Sequence, residues 1–387
     1  MYARLQQLPD RSFFLFGPRG TGKSAWLHHH LPGARTFDLL RTDDYQRLLA
    51  APKRLRDEIP DDYHGWVVID EVQRVPALLD EVHALIEQRQ LRFALTGSSA
   101  RKLRRGGANL LAGRARTLRM HPLSAVELGH AFDLARATRF GGLPFACTTS
   151  DPAGYLRDYV VTYLREEVLQ EGLVRNLPAF ARFLEAASFS QGAALNMAAI
   201  ARECAVSAKL AESHFTLLED LLLATRVPVF ARRAARRLAS HPKFYFFDAG
   251  VYRTLRPRGP LDGDSEIDGP SLETVFLANV RAVNDAEELG YGVHYWRTAV
   301  GAEVDFVLYG ERGLLAFEIK RSDRVRDEDL VSLRAFAADY PEAKCFLLHG
   351  GRERRHAAGV EIAPLDAALR QLPELLRDAA LPPPLRA

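Results

Sequence analysis

One run near the start of the chain limits its fold more than anything else in it: Gly17-Pro18-Arg19-Gly20-Thr21-Gly22-Lys23-Ser24, a GxxxxGK[ST] pattern. Directly before it stands the apolar run Phe13-Phe14-Leu15-Phe16, and directly after it Ala25-Trp26-Leu27 can continue as a helix. Strand, glycine-rich turn and helix, in that order, are what a phosphate-binding loop requires. The glycines let the backbone curl until its N–H groups face one point, and the first turn of the helix adds the positive end of its dipole. In such a loop Lys23 reaches the β and γ phosphates of a nucleoside triphosphate and the Ser24 hydroxyl ligates Mg2+. The chain must therefore open as an α/β fold.

Two later segments fit the same site. Val67-Val68-Ile69-Asp70-Glu71 has the form of a Walker B strand, in which apolar residues carry Asp70 to a strand end to hold Mg2+ and Glu71 polarises the attacking water. Leu95-Thr96-Gly97-Ser98-Ser99 follows the strand-like Phe93-Ala94-Leu95, and a polar side chain there can sense the γ phosphate; Ser98 is favoured, with Thr96 as the alternative. Residues 101 to 119 contain Arg101, Lys102, Arg104, Arg105, Arg114, Arg116 and Arg119 and no acid. Such a run is either a solvated face or a source of an arginine finger, and Arg114 in Ala112-Gly113-Arg114-Ala115 is the candidate. From about 11 to 127, compact apolar runs alternate with polar helical stretches, the pattern of a parallel sheet covered on both faces.

GPRGTGKS, VVIDEVQ, LTGSSA, LAGRA and HPLSAVEL together resemble the AAA+ superfamily, specifically ATPases in which an AAA core precedes a C-terminal domain of unknown function of the DUF4143 type. The matching pieces cover about the first third of the chain. The resemblance implies ATP binding and hydrolysis with Mg2+ and assembly into a homo-oligomer. It carries the Mg2+, water-activating and sensor roles to Ser24, Asp70, Glu71 and Ser98, and implies no biological substrate.

From about 150 to 225 the period becomes helical, with Leu184, Ile200, Leu210, Leu217, Leu218 and Leu221 recurring three or four apart within their stretches. Asn196 and Ser207 precede helical patterns over Met197 to Cys204 and Ala208 to Leu223, and both are good N-cap residues. Two helices so joined have the length of a helix-turn-helix pair. Arg226 to Phe230 and Phe244 to Phe247 can then form the strands of a wing, giving a winged-helix-like segment. Between 221 and 247 lie Arg226, Arg232, Arg233, Arg236, Arg237 and Lys243 without an acid, which suits a nucleic-acid backbone or, equally, a solvated face of a protein-contact module.

Strand-like runs return after 243. Glu303 to Leu308 and Ala316 to Lys320 are joined by Tyr309-Gly310-Glu311-Arg312-Gly313, a hairpin turn, and alternation places Glu318 and Lys320 on one face with Phe317 and Ile319 opposite. This D(x12)ExK arrangement resembles the PD-(D/E)xK nuclease core, in which Glu273 would be the helix-borne acid. Asp305, Glu318 and Glu273 are hard oxygen ligands suited to Mg2+, and Lys320 can orient or help deprotonate a water. Composition strengthens the reading: the chain holds only seven lysines, yet lysine occupies both the phosphate-loop and the ExK position. Arginine cannot lose its proton in a protein, so a site needing a compact or titratable ammonium does not accept it freely. Between Arg258 and Arg281 stand Asp262, Asp264, Glu266, Asp268 and Glu273 with no base, a patch that repels phosphate unless something neutralises it.

Three parts are expected over 387 residues: an ATPase core at 1–130, a helical and winged-helix-like region at 131–250, and a restriction-endonuclease-like α/β domain at 251–387 with a frayed Pro382-Pro383-Pro384 tail. No apolar run reaches the ~18 residues of a membrane span, and Met1-Tyr2-Ala3-Arg4 does not open a signal peptide, so a cytoplasmic protein with no membrane partner is expected. Cys147, Cys204 and Cys345 are widely spaced without CxxC pairing, which argues against a disulfide framework or a thiolate zinc site. Two functions compete. One is an ATP-controlled, Mg2+-dependent DNA nuclease, and the other an ATP-dependent regulatory or scaffold protein whose nuclease-like domain only binds a partner.

Overall fold

A computed structural model describes residues 2–99, 101, 103, 110–164, 176–232, 238, 241–260 and 262–380. Lys102, Arg104 and Arg105 of the first basic run, Arg233, Arg236 and Arg237 of the second, and the Pro382-Pro383-Pro384 tail lie outside them. The chain divides into two compact units, one formed by Gln6–His121 with Asp220–Leu223, the other by Met1–Leu5, Pro122–Glu219 and Ala224–Ala387.

In the first unit β1 (Phe13–Phe16), β2 (Arg35–Asp38), β3 (Trp66–Asp70), β4 (Arg92–Gly97) and β5 (Arg116–Arg119) form a parallel sheet in the order β2-β3-β4-β1-β5. Its three inner strands contain the apolar runs read from the sequence. They are apolar on alternate residues of both kinds because both faces are covered: Phe14 and Phe16 pack with Ile69 and Leu95, whereas Phe13 and Leu15 pack with Trp26 and Leu27. The edge strands β2 and β5 are half exposed and were not foreseen. The order inserts β4 between the strand that enters the phosphate loop and the strand that carries Asp70, so the tip of β4 lies between the two motifs. Gly17 closes against this tip, its N–H donating to the Gly97 carbonyl at 3.3 Å. A Cβ on Gly17 would sit 2.3 Å from the Met120 carbonyl oxygen, so only glycine allows the approach.

The second unit begins with short helices and then reaches the helices Leu177–Ser188, Met197–Glu203 and Ala208–Asp220. The foreseen caps are formed: Asn196 Oδ1 accepts from the Ala199 N–H at 3.0 Å and Ser207 Oγ from the Leu210 N–H at 3.2 Å. Each such cap contributes about 1 kcal/mol. Phe183, Phe215 and Phe244 meet edge to face at centroid separations of 4.9 and 5.0 Å and fix these helices to the strands that follow. Those strands, β6 (Ala224–Val227) and β7 (Lys243–Phe246), pair antiparallel. The chain between them does not form a simple turn. It runs beside β8 (Gly292–Arg297), where the Phe230 N–H donates to the Tyr295 carbonyl at 2.7 Å and the Tyr295 N–H to the Pro228 carbonyl at 3.0 Å.

With β8, the strands β9 (Glu303–Gly310), β10 (Gly313–Lys320), β11 (Lys344–His349), β12 (Arg355–Ala357) and β13 (Val360–Pro364) make a mixed sheet ordered β12-β13-β11-β10-β9-β8. β9 and β10 are the expected hairpin, closed by Glu311 and Arg312 between the paired Gly310 and Gly313. The helix Asp264–Ala286 covers one face, packing Leu272 and Phe276 with Phe306, Phe317 and Ile319. The helix Val331–Asp339 covers the other, packing Leu333 and Phe336 with Val304, Val307 and Ala316. Alternation along β10 therefore sets Glu318 and Lys320 in register with Ala316, opposite Phe317 and Ile319. Among the described residues no helix is long and apolar enough to cross a membrane, and all three cysteines are free thiols.

Candidate nucleotide site and carboxylate cluster

The phosphate loop curls where its glycines permit it: Gly20 and Gly22 take φ values of 81° and 94°, which L side chains rarely adopt. Gly22 leads into the helix Lys23–His30. Inside the loop the Thr21 hydroxyl donates to the Pro18 carbonyl at 2.8 Å. Lys23, only 6% exposed, donates to the carbonyls of Gly17 and Pro18 at 2.6 and 3.2 Å. Gly17, Pro18, Arg19, Gly20, Thr21, Gly22, Lys23 and Ser24 thus form one turn with an ammonium at its centre.

Ser24 and Asp70, the two residues read as Mg2+ ligands, are in contact: the Ser24 hydroxyl donates to Asp70 Oδ2 at 2.8 Å. The other Asp70 oxygen accepts from the Thr96 hydroxyl, and the same hydroxyl oxygen accepts from the Glu71 N–H at 3.1 Å. Thr96, weighed as a sensor, therefore organises the Asp70-Glu71 pair. Glu71 has left-handed backbone angles, φ 60° and ψ 45°, a conformation that costs a non-glycine residue about 1 kcal/mol or more and that clusters at functional sites. The Gln73 amide donates to the Glu71 carboxylate and to the Ser98 hydroxyl at 3.2 Å, tying the residue read as a sensor to the acid read as water-activating. Gln73 was not foreseen as functional, although it closes the VVIDEVQ segment on which the resemblance rests.

Arg114 is ion-paired with Glu87, and this hydrogen bond holds the Glu87 carboxyl below its ordinary range. Arg101 is buried and paired with Asp220 of the same unit at 2.7 Å. In the second basic run, Arg226 donates to Glu219 at 2.7 Å and to Glu212 at 2.5 Å, and Lys243 is buried. Two of the six charges read as available to a nucleic-acid backbone are thus neutralised within the fold. The acidic stretch is similarly answered: Asp262 pairs with Arg256, Asp264 with Arg258, and Asp268 with Arg253.

The D(x12)ExK residues converge. Lys320 Nζ lies 2.8 Å from Glu318 Oε1, and Asp305 Oδ2 accepts from the Ile319 N–H at 2.9 Å. Glu273 joins them differently from the reading as a third metal ligand. It accepts from the Tyr245 hydroxyl at 2.6 Å and faces Lys243 at 3.9 Å. Lys243, 2% exposed, places its ammonium 2.5 Å from Glu303 Oε1 and 3.4 Å from Asp305 Oδ1. Arg297 reaches the other Glu303 oxygen at 3.4 Å. Among the described residues no three acidic, histidine or cysteine side chains are grouped as a metal-binding set. Lys243, Tyr245 and Glu303 are the members of this cluster that the sequence reading missed.

Burial and then the neighbouring Asp305 push both the Glu273 and the Glu318 carboxyl up, to about 8. Burial works against the charge on Lys243, but Asp305, Glu273 and Glu303 together override it and raise its pKa. Lys320 is likewise raised, burial being outweighed by Glu318 and Asp305. It remains an ammonium and can orient a water or a phosphoryl oxygen, whereas the role of base, open to it in the sequence, needs the opposite shift. Glu318 Oε2 is buried and accepts no hydrogen bond. An oxygen with free lone pairs beside Asp305 suits Mg2+, which usually takes only one or two carboxylates and completes its shell with water and substrate.

Residues 9–129 match the AAA domain family, residues 131–262 a domain of unknown function (DUF8612), and residues 268–368 a domain of unknown function (DUF4143). Uncharacterized proteins of Mycobacterium bovis and Mycobacterium tuberculosis are each 26% identical over 365 residues, covering 91% of this chain and 80% of theirs. The crystal structure of protein VC1899 from Vibrio cholerae aligns at 12% identity with a TM-score of 0.25, covering 95% of this chain and 97% of that one. The AAA and DUF4143 domains stand in the order the sequence motifs implied, and the AAA match supports a nucleotide-binding ATPase.

Proposed function

We propose that the chain is an ATP-hydrolysing P-loop protein whose C-terminal domain carries a Mg2+-assisted site for phosphodiester hydrolysis on DNA, controlled by the nucleotide state of an oligomer. The observation that carries the second half is the convergence of Asp305, Glu318 and Lys320 in one half-buried cluster.

At the N-terminal site Lys23 exchanges the carbonyls of Gly17 and Pro18 for nucleotide phosphates, Glu71 orients the attacking water, and Gln73 holds Glu71 in line with Ser98. Ser24 and Asp70 would hold the Mg2+ that accompanies ATP. In the C-terminal cluster Asp305 and Glu318 would hold Mg2+, which supplies Lewis-acid polarisation of a phosphoryl oxygen when bound. Lys320 donates from beside Glu318 to the water or to the negative charge that develops on phosphorus. Arg114 would exchange its partner Glu87 for a neighbouring subunit's nucleotide.

Purified protein incubated with plasmid and with linear DNA, with Mg2+ and with or without ATP, tests the reading. Cleavage that is lost in Lys320→Ala and Glu318→Gln, with ATPase turnover retained, supports it. A second reading has its own observation, the buried Lys243 that already neutralises part of the carboxylate cluster: an ATP-dependent regulatory protein whose C-terminal domain binds a partner without cutting. No cleavage under any condition, with ATPase intact, selects that reading.

A further inference from the structure

We infer that Lys243 is a built-in cation of the C-terminal cluster, its ammonium taking one of the positions that a divalent ion would otherwise fill. The inference deepens the metal reading above and, for the remaining position at Asp305 and Glu318, rests on it.

Three observations lead there. First, the ammonium is surrounded by acids as a bound cation is: Glu303 at 2.5 Å, Asp305 at 3.4 Å and Glu273 at 3.9 Å face a group that has three N–H donors and is 2% exposed. The carboxylates come from β9 and from the helix Asp264–Ala286, and the lysine from β7, so three separate elements converge on one charge. Secondly, the charges limit what else can enter. With all four acids ionised, the state that a bound divalent ion favours, Glu273, Glu303, Asp305 and Glu318 bring four negative charges, and Lys243, Lys320 and Arg297 bring three positive ones. The surplus, 4 − 3 = 1, accommodates one divalent ion and leaves a single positive charge facing a phosphodiester; two such ions would leave three. Thirdly, the sides of Asp305 differ. Oδ1 faces Lys243 and Oδ2 accepts from the Ile319 N–H, whereas Glu318 Oε2, buried nearby, has no hydrogen-bond partner to compete with a ligand. Hydrolytic sites with two divalent ions use them as a symmetric clamp; here a lysine replaces one half of that clamp, as a point charge that cannot dissociate.

Counting Mn2+ tests this without reference to cleavage. The full chain carrying Asp70→Asn, to remove ion uptake at the N-terminal site, is titrated with Mn2+ in the absence of nucleotide, and bound ion is read by electron paramagnetic resonance. The expected count is one per chain, abolished by Glu318→Gln and raised to two by Lys243→Met. A count of zero that rises to one in Lys243→Met keeps Lys243 as the built-in cation and rejects the metal dependence proposed above. Two ions bound with Lys243 in place, or an unchanged count in a folded Lys243→Met chain, overturns the inference. If circular dichroism shows Lys243→Met unfolded, Glu303→Gln decides: an unchanged count supports Glu303 as the lysine's partner, and loss of the ion makes Glu303 a metal ligand and overturns the assignment.

Discussion

The Thr96 hydroxyl donates to Asp70, and through the same oxygen it receives the Glu71 N–H at 3.1 Å. One side chain thus orients the Asp70 carboxylate, proposed to hold Mg2+, and pins the left-handed backbone of Glu71, proposed to activate water. Thr96→Val keeps the shape and removes both bonds. ATPase kcat is expected to fall about 10- to 100-fold, the usual cost of losing a group that orients a catalytic one, with nucleotide affinity changed far less. Equal losses in affinity and kcat would place Thr96 in binding instead.

Lys23→Ala removes the ammonium that now bridges Gly17 and Pro18. Loss of ATP binding in a fluorescence titration, or of turnover in a coupled assay, is expected. Turnover at the level of the unmodified chain would refute the phosphate-loop assignment.

Arg114 is exposed enough to leave Glu87 for another subunit. Arg114→Ala chains and Glu71→Gln chains are each expected to be inactive alone. Mixing them is expected to restore part of the ATPase activity, because one interface then pairs an intact Glu71 with an intact Arg114. Mixtures no more active than their components exclude action in trans.

Lys243→Met strands Glu303, Asp305 and Glu273 without their buried counter-charge. Removing one partner of a buried ionic cluster typically destabilises by about 3–5 kcal/mol. A fall in Tm of several degrees is expected, against a smaller one for Lys320→Met, whose side chain is about one-third exposed (35%). Differential scanning calorimetry separates the two.

The raised Glu273 and Glu318 pKa values fix a pH dependence. An unfolded glutamate loses its proton near 4.5, while these two keep theirs in the folded chain to about 8. Between those limits the native state binds more protons than the unfolded one, so this contribution to stability is greatest below the window and is lost as pH rises through it. A divalent ion favours the charged carboxylates and is expected to flatten the slope. Denaturant unfolding at about pH 5 and about pH 8, with and without Mg2+, checks both statements; a pH-independent contribution would contradict the burial of these groups.

The inner strands and the phosphate loop were legible in the sequence because each is dictated locally: β1, β3 and β4 are buried on both faces, and the loop's glycines sit where the backbone turns left-handed. The edge strands β2 and β5 left no such trace, since a strand with one neighbour and a wet side needs few apolar residues. The caps at Asn196 and Ser207 were also local and were read correctly. Lys243 was not, because a count of charges along the chain placed it among surface arginines, and only folding brings it to Asp305, 62 residues on. The rarity of lysine was the usable signal. It singled out Lys23 and Lys320, and applied consistently it would have set Lys243 apart from the arginines around it.

β7 delivers its lysine to carboxylates that all lie beyond residue 263. A cut at 250/251 leaves every one of those acids on one fragment and their ammonium on the other. Recombination that exchanged the C-terminal piece alone would import three clustered carboxylates without the buried ammonium that faces all of them, so the two pieces are constrained to be inherited together.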